Sequence, residues 1–531
     1  MRVLVGPIAG LASAMMSSGV AAQGLAGAWP CLAGDAARSG VARGGAAAWG
    51  SVDGALGTPR WTASVDHLGR AVSFVGQAGV VADHARVYAV GSVAGTPSRQ
   101  WLLLAFGRQT GACEWACPIP APSLESFATP ALVPEEGVCI VGSGSSVVAV
   151  DVRTGVERFR TVLASPVVNA SAALDMTRWG RFRAFVTDYD GFGTAGRLYC
   201  INLSPRLAPL NAFEPGEIVW SVEIGGTSGN SPAVSGGMVY VATVGEAGFS
   251  PGRVLCFDAK AAIAPGPRWV FENVVNEGFY GGVMVSGGAV YAASYAFFGG
   301  LSGSNLVKLD AATGTVRWSV ACNRTASTPM ALPAATGRTF PRLALAGGVQ
   351  GFGTVPTLEV FEDRGTSAAA VWNSAIATFA DGNGNGRMDA GEFVSMGGWS
   401  HTPVLIRDPV GLPGASRMLI GTPASSGGTS AAGVSLRLVD LTGPSGVMLS
   451  AVAGAGGTPA VAGSSVYSLG VGGLVAFGPV PVRSDVNDDG VIDEEDLFAW
   501  DAGHGQRDAD GNGVVNGADR LLVERDARRE E

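Results

Sequence analysis

Short stretches in which apolar and polar residues alternate, broken by Gly, Pro, Asn or Asp, fill the chain from about residue 60 to 480. A period of two predicts β-strands rather than helices. The strands recur in one phrase. It opens with Ser or Thr before Pro and runs through a short β-branched strand, then crosses a Gly turn into a second strand. A third strand ends near Asp, and a turn through Thr-Gly leads into Trp. The clearest copy reads Gly288-Ala289-Val290-Tyr291, then Leu306-Val307-Lys308-Leu309-Asp310, Ala312-Thr313-Gly314 and Arg317-Trp318. Others run from Thr129-Pro130 through Asp151 and Thr154-Gly155 to Phe159, and from Ser231-Pro232 through Asp258 to Trp269, with further copies ending at Trp115, Trp220 and Trp372. The terminal aromatics are spaced by 44, 61, 49, 49 and 54 residues. A period near fifty built from four short strands predicts the blades of a β-propeller.

Each part of the phrase has a physical task. Pro cannot donate to a sheet ladder, so it suits the first residue of a strand. In Asp-x-x-Thr-Gly the carboxylate caps backbone N–H groups and Gly supplies a positive φ. The Trp offers a large apolar surface for blade-to-blade packing, which makes these tryptophans core residues rather than stacking platforms for a cofactor. Two more copies run from Thr402-Pro403 to Asp440 and from Thr458-Pro459 to Gly478, the last without its own Trp strand. Arg60-Trp61 is a strand of that type with no preceding blade. It is expected to complete the last blade, closing the ring and removing its free edges. The fold class is all-β, an eight-bladed propeller with seven blades as the alternative, followed by a small α-helical calcium-binding domain.

The repeated Asp-x-x-Thr-Gly-x-x-x-Trp phrase resembles the quinoprotein (PQQ-type) propeller repeat. Trp29-Pro30 with Gly34-Asp35-Ala36-Ala37-Arg38-Ser39-Gly40 is similar to the tryptophan, glycine and arginine lead-in that precedes such propellers. The resemblance covers about residues 28 to 480. It implies the fold, and, for the dehydrogenases of the family, calcium and a quinone in the ring centre with an Asp base and often a disulfide of adjacent cysteines. This chain has no adjacent cysteines, no assignable calcium trio and no C-x-x-C-H haem motif, so PQQ is not expected.

Composition changes the picture in one respect. Of 531 residues 80 are Gly and 29 Pro, and only 15% are charged. The net charge is −9, but the segment from Asp485 onward holds 15 acidic and 5 basic residues. The rest is therefore close to neutral. No basic stripe exists to meet nucleic acid. An apolar stretch from Val3 to Met16 followed by small residues up to Ala22 predicts a signal peptide over 1–22, and no later run is long enough to span a bilayer. The mature protein is expected to be secreted, extracellular or periplasmic. Seven scattered cysteines make no disulfide framework, and Cys113 and Cys117 would lie about 13 Å apart along a strand, beyond disulfide reach. They read as core residues.

The acidic tail carries the sharpest chemistry. Asp485-Val486-Asn487-Asp488-Asp489-Gly490-Val491-Ile492-Asp493-Glu494-Glu495-Asp496 sets oxygen donors at loop positions 1, 3, 5, 9 and 12, and Asp508, Asp510, Asn512, Asn516 and Asp519 repeat the pattern 23 residues later. Such spacing wraps six to eight hard oxygens around one calcium ion, with the position-7 carbonyls of Val491 and Val514 contributing and Gly490 or Gly513 making the turn. The pair, in a domain over 483–531, resembles a type I dockerin, which implies a cohesin partner contacted through residues 485–526. A helix should follow each loop, with Leu497, Phe498 and Trp500 packing against Leu521 and Leu522. A third loop interrupts the propeller within 375–393. Asp381, Asn383, Asn385, Arg387 (through its carbonyl), Asp389 and Glu392 fit the EF-hand template, with a short entering helix from Ala375 to Phe379.

Against catalysis, His67, His84, His401 and His504 form no cluster and read as surface or capping residues. No G-x-S-x-G elbow and no P-loop lysine occurs; Lys260 and Lys308 are the only lysines. Asp188, Asp190, Glu217 and Glu223 are candidate glycosidase acids without a reason to choose two. The sequence therefore reads as a propeller, residues 23–482, acting as a non-catalytic binding or scaffold module and attached by its calcium-dependent tail to a cohesin-like partner or the envelope. A role in extracellular polysaccharide degradation, with carbohydrate as partner, and a quinone-dependent alcohol or sugar dehydrogenase are the alternatives.

Overall fold

The computed structural model describes residues 28–42, 56–75, 78–95, 98–122, 126, 128–177, 181–191, 193–245, 251–296, 300–332, 339–348, 354–377, 381–385, 392, 394, 396–398, 401–407, 416–423, 433–441, 443, 446–463, 465–478, 486, 494–502, 509 and 516–530. The expected signal peptide lies outside these residues.

Eight antiparallel sheets follow one another along the chain. Blades 1 to 7 span residues 72–119, 131–162, 173–223, 233–272, 284–322, 330–373 and 404–453; in blades 2 to 7 the strands are hydrogen-bonded in chain order from the innermost outward, and in blade 1 two short strands, Val72–Phe74 and Val81–Ala82, both pair with Arg86–Val93. Blade 8 takes its first three strands from residues 460–477 and its outer strand from Trp61–Ala63, with Trp61 opposite Ala476. The eight-bladed reading and the N-terminal closure of the ring are both borne out.

The second and third strands are buried on both faces, because each blade is covered by a neighbour on either side; Val138–Ser143 and Ser146–Asp151 of blade 2 are buried along their whole length. The outer strands alternate, as in Trp269–Glu272, since one face meets water. In blades 1, 2, 3, 5 and 6 a bulge falls next to the outer-strand aromatic: Ala105 faces Trp115, Ala149 faces Phe159, Cys200 faces Trp220, Lys308 faces Trp318 and Val360 faces Trp372, and the register shifts at the following residue. The bulge adds local twist and lies between the aromatic and the turn that precedes it in each of these blades.

Those tryptophans do the packing expected of them. An aromatic on the second strand of the same blade meets the indole, with ring centroids 5.8 Å apart for Tyr88 and Trp115 and 5.9 Å for Tyr240 and Trp269. The indole then lies on the Asp-x-x-Thr-Gly turn of the next blade. Trp115 Nε1 donates to Val152 O (3.0 Å) and Trp269 Nε1 to Ala311 O (3.0 Å). Gly155 and Gly314 thus have two reasons to be glycine. Their φ values are +71° and +73°, and a Cβ would stand 2.7 and 2.6 Å from the Trp115 and Trp269 rings. Between blades 5 and 6 a carboxylate replaces the carbonyl. Trp318 Nε1, Tyr291 OH and Lys308 Nζ all donate to Asp363, which holds its carboxyl below the usual range despite burial.

Ring closure has its own latch. Trp61 Nε1 and Arg60 donate to Arg108 O, while the buried Arg108 side chain donates to Tyr467 OH (3.0 Å) and Ala462 O (2.9 Å). The closure is therefore polar as well as β-paired.

Two short helices, Glu494–Asp501 and Gly517–Glu530, form the tail, and they pack on each other. Their small core is Val486, Trp500 and Val523, with Leu497 against it. This corrects the expected packing. Phe498 and Leu521 are 70% and 65% exposed, because each helix turns the residue two places after its loop's last ligand position outward.

Candidate functional site

The residues that open the inner strands converge on the ring axis. Thr129, Ser171, Ser231, Thr328, Thr402 and Thr458 open blades 2, 3, 4, 6, 7 and 8, and the corresponding positions of blades 1 and 5 are Gly79 and Gly282. Backbone N–H groups of one blade bond hydroxyls of the next. Gly79 N donates to Thr129 Oγ1 (3.2 Å), Thr129 N to Ser171 Oγ (2.9 Å), Ser171 N to Ser231 Oγ (2.9 Å) and Thr402 N to Thr458 Oγ1 (3.3 Å). The Ser or Thr before Pro was visible in the sequence, but its task was not: the hydroxyl supplies the acceptor that the neighbouring blade's first N–H needs once it is buried.

Below this belt the lead-in segment fills the channel. Trp29 exchanges both backbone bonds with Ala82 of blade 1 (2.8 and 3.0 Å), Pro30 O accepts from Leu132 of blade 2 (2.7 Å), Ala36 O from Val234 of blade 4 (2.7 Å), Ala37 O from Val285 of blade 5 (2.9 Å) and Gly40 O from Leu405 of blade 7 (2.7 Å). Val41–Ala42 then pairs in parallel with the inner strand of blade 7. The segment visits the blades in order, one carbonyl at a time.

Arg38 pins it. The guanidinium is fully buried and donates to Leu32 O (2.9 Å), Pro232 O (3.0 Å), Ser171 O (2.8 Å) and Ala172 O (2.9 Å), joining the segment to blades 3 and 4. Burial pushes it below its ordinary value, and the neighbouring Cys31 thiol is pushed up to about 12 by the same cause. Asp35 attracts the guanidinium, but its carboxylate accepts from Ser39 N and Ser39 Oγ. Between the segment and the belt remains a cavity of about 50 Å³ lined by Leu32, the six hydroxyl residues, Asn169, Ser228, Gly229, Tyr280, Gly282 and Ala326.

Of the expected calcium ligands, Asp485, Asn487, Asp489, Val491, Asp493, Asp508, Asp510, Asn512, Val514, Arg387 and Asp389 lie outside the described residues. The others fall into two groups. In the tail, the position-12 carboxylates Asp496 and Asp519 are fully buried and face loop backbone: Asp496 Oδ1 accepts from Val486 N (2.5 Å) and Asp519 Oδ2 from Asn516 N (2.8 Å). In the inserted loop, Glu392 Oε1 accepts from Gly382 N (3.1 Å) and Asn383 N (3.3 Å), while Asn385 N sits between Asp381 Oδ1 and Asn383 Oδ1, 3.1 Å from each. Positions 1, 3, 5 and 12 are thereby brought together. The entering helix is described over Ser374–Ala377, and the last two residues of the expected Ala375 to Phe379 lie outside the described set. Among the described residues no three His, Cys, Asp or Glu side chains cluster as a metal site.

The remaining candidates are structural. Asp188 accepts from Arg197 N and Tyr199 OH, Asp190 from Ala195 N, Gly196 N and Thr227 N, Glu217 from Glu214 N, and Glu223 pairs with Arg197. His401 is a correction: it is fully buried rather than on the surface, and burial lowers its imidazole to about 4. All seven cysteines are free, and six are buried, as core residues are.

Among the described residues no helix is long and apolar enough to cross a membrane. A family model described as outer membrane protein assembly factor BamB matches residues 178–379, from the second strand of blade 3 through blade 6. No curated protein sequence matches the chain. Among solved structures, a europium-containing methanol dehydrogenase is similar over 83% of this chain and 89% of its own, at 10% identity and a TM-score of 0.53. A quinohemoprotein alcohol dehydrogenase from Pseudomonas putida HK5 aligns over 85% and 77% at 10% identity and 0.45, and Sqt1 from Chaetomium thermophilum over 77% and 100% at 13% and 0.47. Strand order, the Trp-on-turn docking, the family match over 178–379 and the likeness to the methanol dehydrogenase together give the chain the fold of a PQQ-like β-propeller.

Proposed function

We propose that this protein is a secreted or periplasmic, non-catalytic binding and scaffold propeller, held to a cohesin-like protein partner or the envelope by a calcium-dependent, dockerin-like tail. The observation that carries this reading is the filled axis. Where the family resemblance would seat a quinone, the chain's own residues 29–42 lie, and the cavity left is about 50 Å³. Organic ligands and cofactors ordinarily take about 300 Å³ or more, which favours a reading without PQQ at this cavity. The cavity lining contains no carboxylate to act as base and no cation to hold an acidic quinone.

Calcium fits the tail better. Both position-12 carboxylates are fully buried and turned inward onto loop backbone, the place the calcium-loop template gives a ligand oxygen. Asp485 to Asp496, Asp508 to Asp519, and Asp381 to Glu392 are the segments that would hold the ions; bound calcium would supply folding energy, not chemistry. The outward Phe498 and Leu521 occupy the same place in the two tail repeats and give the tail a pair of apolar contacts for its partner.

The test has two arms. Dye-linked oxidation of alcohols and sugars, after incubation with calcium and PQQ, should show no turnover and no bound chromophore; either would overturn the reading. Capture by immobilised cohesin should occur with calcium and disappear with chelator, and failure in both conditions would remove the dockerin half.

A further inference from the structure

The axial cavity is chemically one-sided. The hydroxyl oxygens of Thr129, Ser171 and Ser231 each accept a backbone N–H from the preceding blade. One lone pair of each is taken up by that N–H, and each keeps its O–H as a donor. All three line the cavity, as do Thr328 and Thr402. Directly beneath, Arg38 bonds the carbonyls of Leu32 and Ser171, two cavity-lining residues, and that of Pro232, next to a third. The carbonyl oxygens of two lining residues, Leu32 and Ser171, therefore already accept from a guanidinium. The Arg38 charge bonded to these residues is positive and fully buried, in surroundings where electrostatic attraction is little screened.

We propose that this cavity is a binding site for a small monovalent anion, a halide or a carboxylate as small as formate, held by the hydroxyl belt over Arg38. Size sets the upper limit: about 50 Å³ corresponds to roughly three or four water-sized groups, at ~10–15 Å³ each, which excludes sugars and quinones. Because the belt draws its hydroxyls from different blades, a bound anion joins them at the axis, and its occupancy sets how tightly the ring is held. The site is separate from the calcium loops and does not rest on the proposed tail function.

Thermal unfolding of the full chain in calcium-containing, gluconate-buffered solution, at constant ionic strength, reads the site. Chloride, bromide and formate should each raise the midpoint saturably, because a ligand of the folded state stabilises it by mass action; citrate, too large to enter, should not. Ser231→Ala should raise the half-saturating concentration about fivefold or more, and Thr328→Val serves if that variant does not fold. Anomalous diffraction from bromide-soaked crystals should show a peak within hydrogen-bonding distance of Ser171 Oγ and Ser231 Oγ. A salt response that is linear, equal for citrate and unchanged by the substitutions overturns the proposal, as does a bromide map with no peak at the axis. If formate alone fails to stabilise, the small-carboxylate part of the assignment falls and the halide part stands.

Discussion

Replacing Arg38 by Met keeps most of the volume of the side chain and deletes its donors. In the parent chain the guanidinium satisfies four buried carbonyls from three places in the sequence. Hydrogen bonds from a charged donor contribute about 1.5–3 kcal/mol each, and an acceptor left bare in the interior costs about 1–3 kcal/mol. These do not add to a fourfold total, because burying the charge is itself unfavourable and because the adjoining cavity lets water reach the Leu32 and Ser171 carbonyls. The expected loss is about 3–5 kcal/mol, the range for removing one partner from a buried charged network. The assay is urea unfolding followed by tryptophan fluorescence, which reports on indoles packed between blades. With a slope of at least about 3 kcal/mol per molar for a domain this large, the midpoint should fall by about 1 M. Arg38→Lys should recover less than half of that, since a single ammonium cannot span carbonyls on both sides of the planar fork. A midpoint for the Met variant within about 0.2 M of the parent would mean that the lead-in is ornament on a ring that stands without it.

Gly155→Ala should destabilise by about 2–3 kcal/mol, combining a left-handed φ with a Cβ at 2.7 Å from Trp115; an unchanged unfolding midpoint refutes the docking account. Deleting residues 58–63 removes the outer strand of blade 8 and should give dimers or aggregates by size-exclusion chromatography, because it frees an edge; a stable monomer would show that closure is dispensable. Calorimetric titration should count three calcium ions, with Glu392→Gln losing one and Asp519→Asn losing another along with helical circular dichroism from Gly517–Glu530; unchanged counts refute those ligand assignments. Burial raises the Glu359 carboxyl to about 7 from its ordinary 4.5, so its contribution to stability is complete below about pH 4.5 and lost as pH rises through about 7. Glu359→Gln should therefore gain on the parent by about 3 kcal/mol between those limits, and a difference that is flat with pH would refute this.

What was legible in the sequence divides along a physical line. Local chemistry that repeats was readable: Pro at a strand start, Gly after Thr in a turn, Trp at a fixed place. Each is fixed by backbone geometry within one blade, and eight imperfect copies averaged out the noise. The closing role of Trp61 followed as well, since an orphan strand and an incomplete blade need each other. The hydroxyl belt was not readable, although its letters were in plain view. Its bonds join residues 42, 50, 56 and 60 apart, and only closure of the ring makes those residues neighbours. The same is true of Arg38, whose acceptors lie up to 194 residues away, and of His401, which read as a surface or capping residue and is fully buried. In the tail, a helical pattern named five apolar residues for the core, but two helices this short cover only Leu497, Trp500 and Val523 with Val486. Phe498 and Leu521 remain outside.

The axis is where fold and function meet. A propeller built from near-identical blades has no intrinsic reason to keep its centre shut, since each blade needs only its two neighbours. Here one segment from before the ring is threaded through it and bonded to blades 1, 2, 4, 5 and 7 in succession, and a buried cation ties it to blade 3. On the proposed reading, such a segment takes up volume that a quinone would require and returns it as rigidity. Contact with a macromolecular partner is then left to the faces of the ring and to the acidic tail. On this argument, loss of calcium should release the partner while leaving the propeller's own unfolding transition in place, and loss of Arg38 should do the reverse.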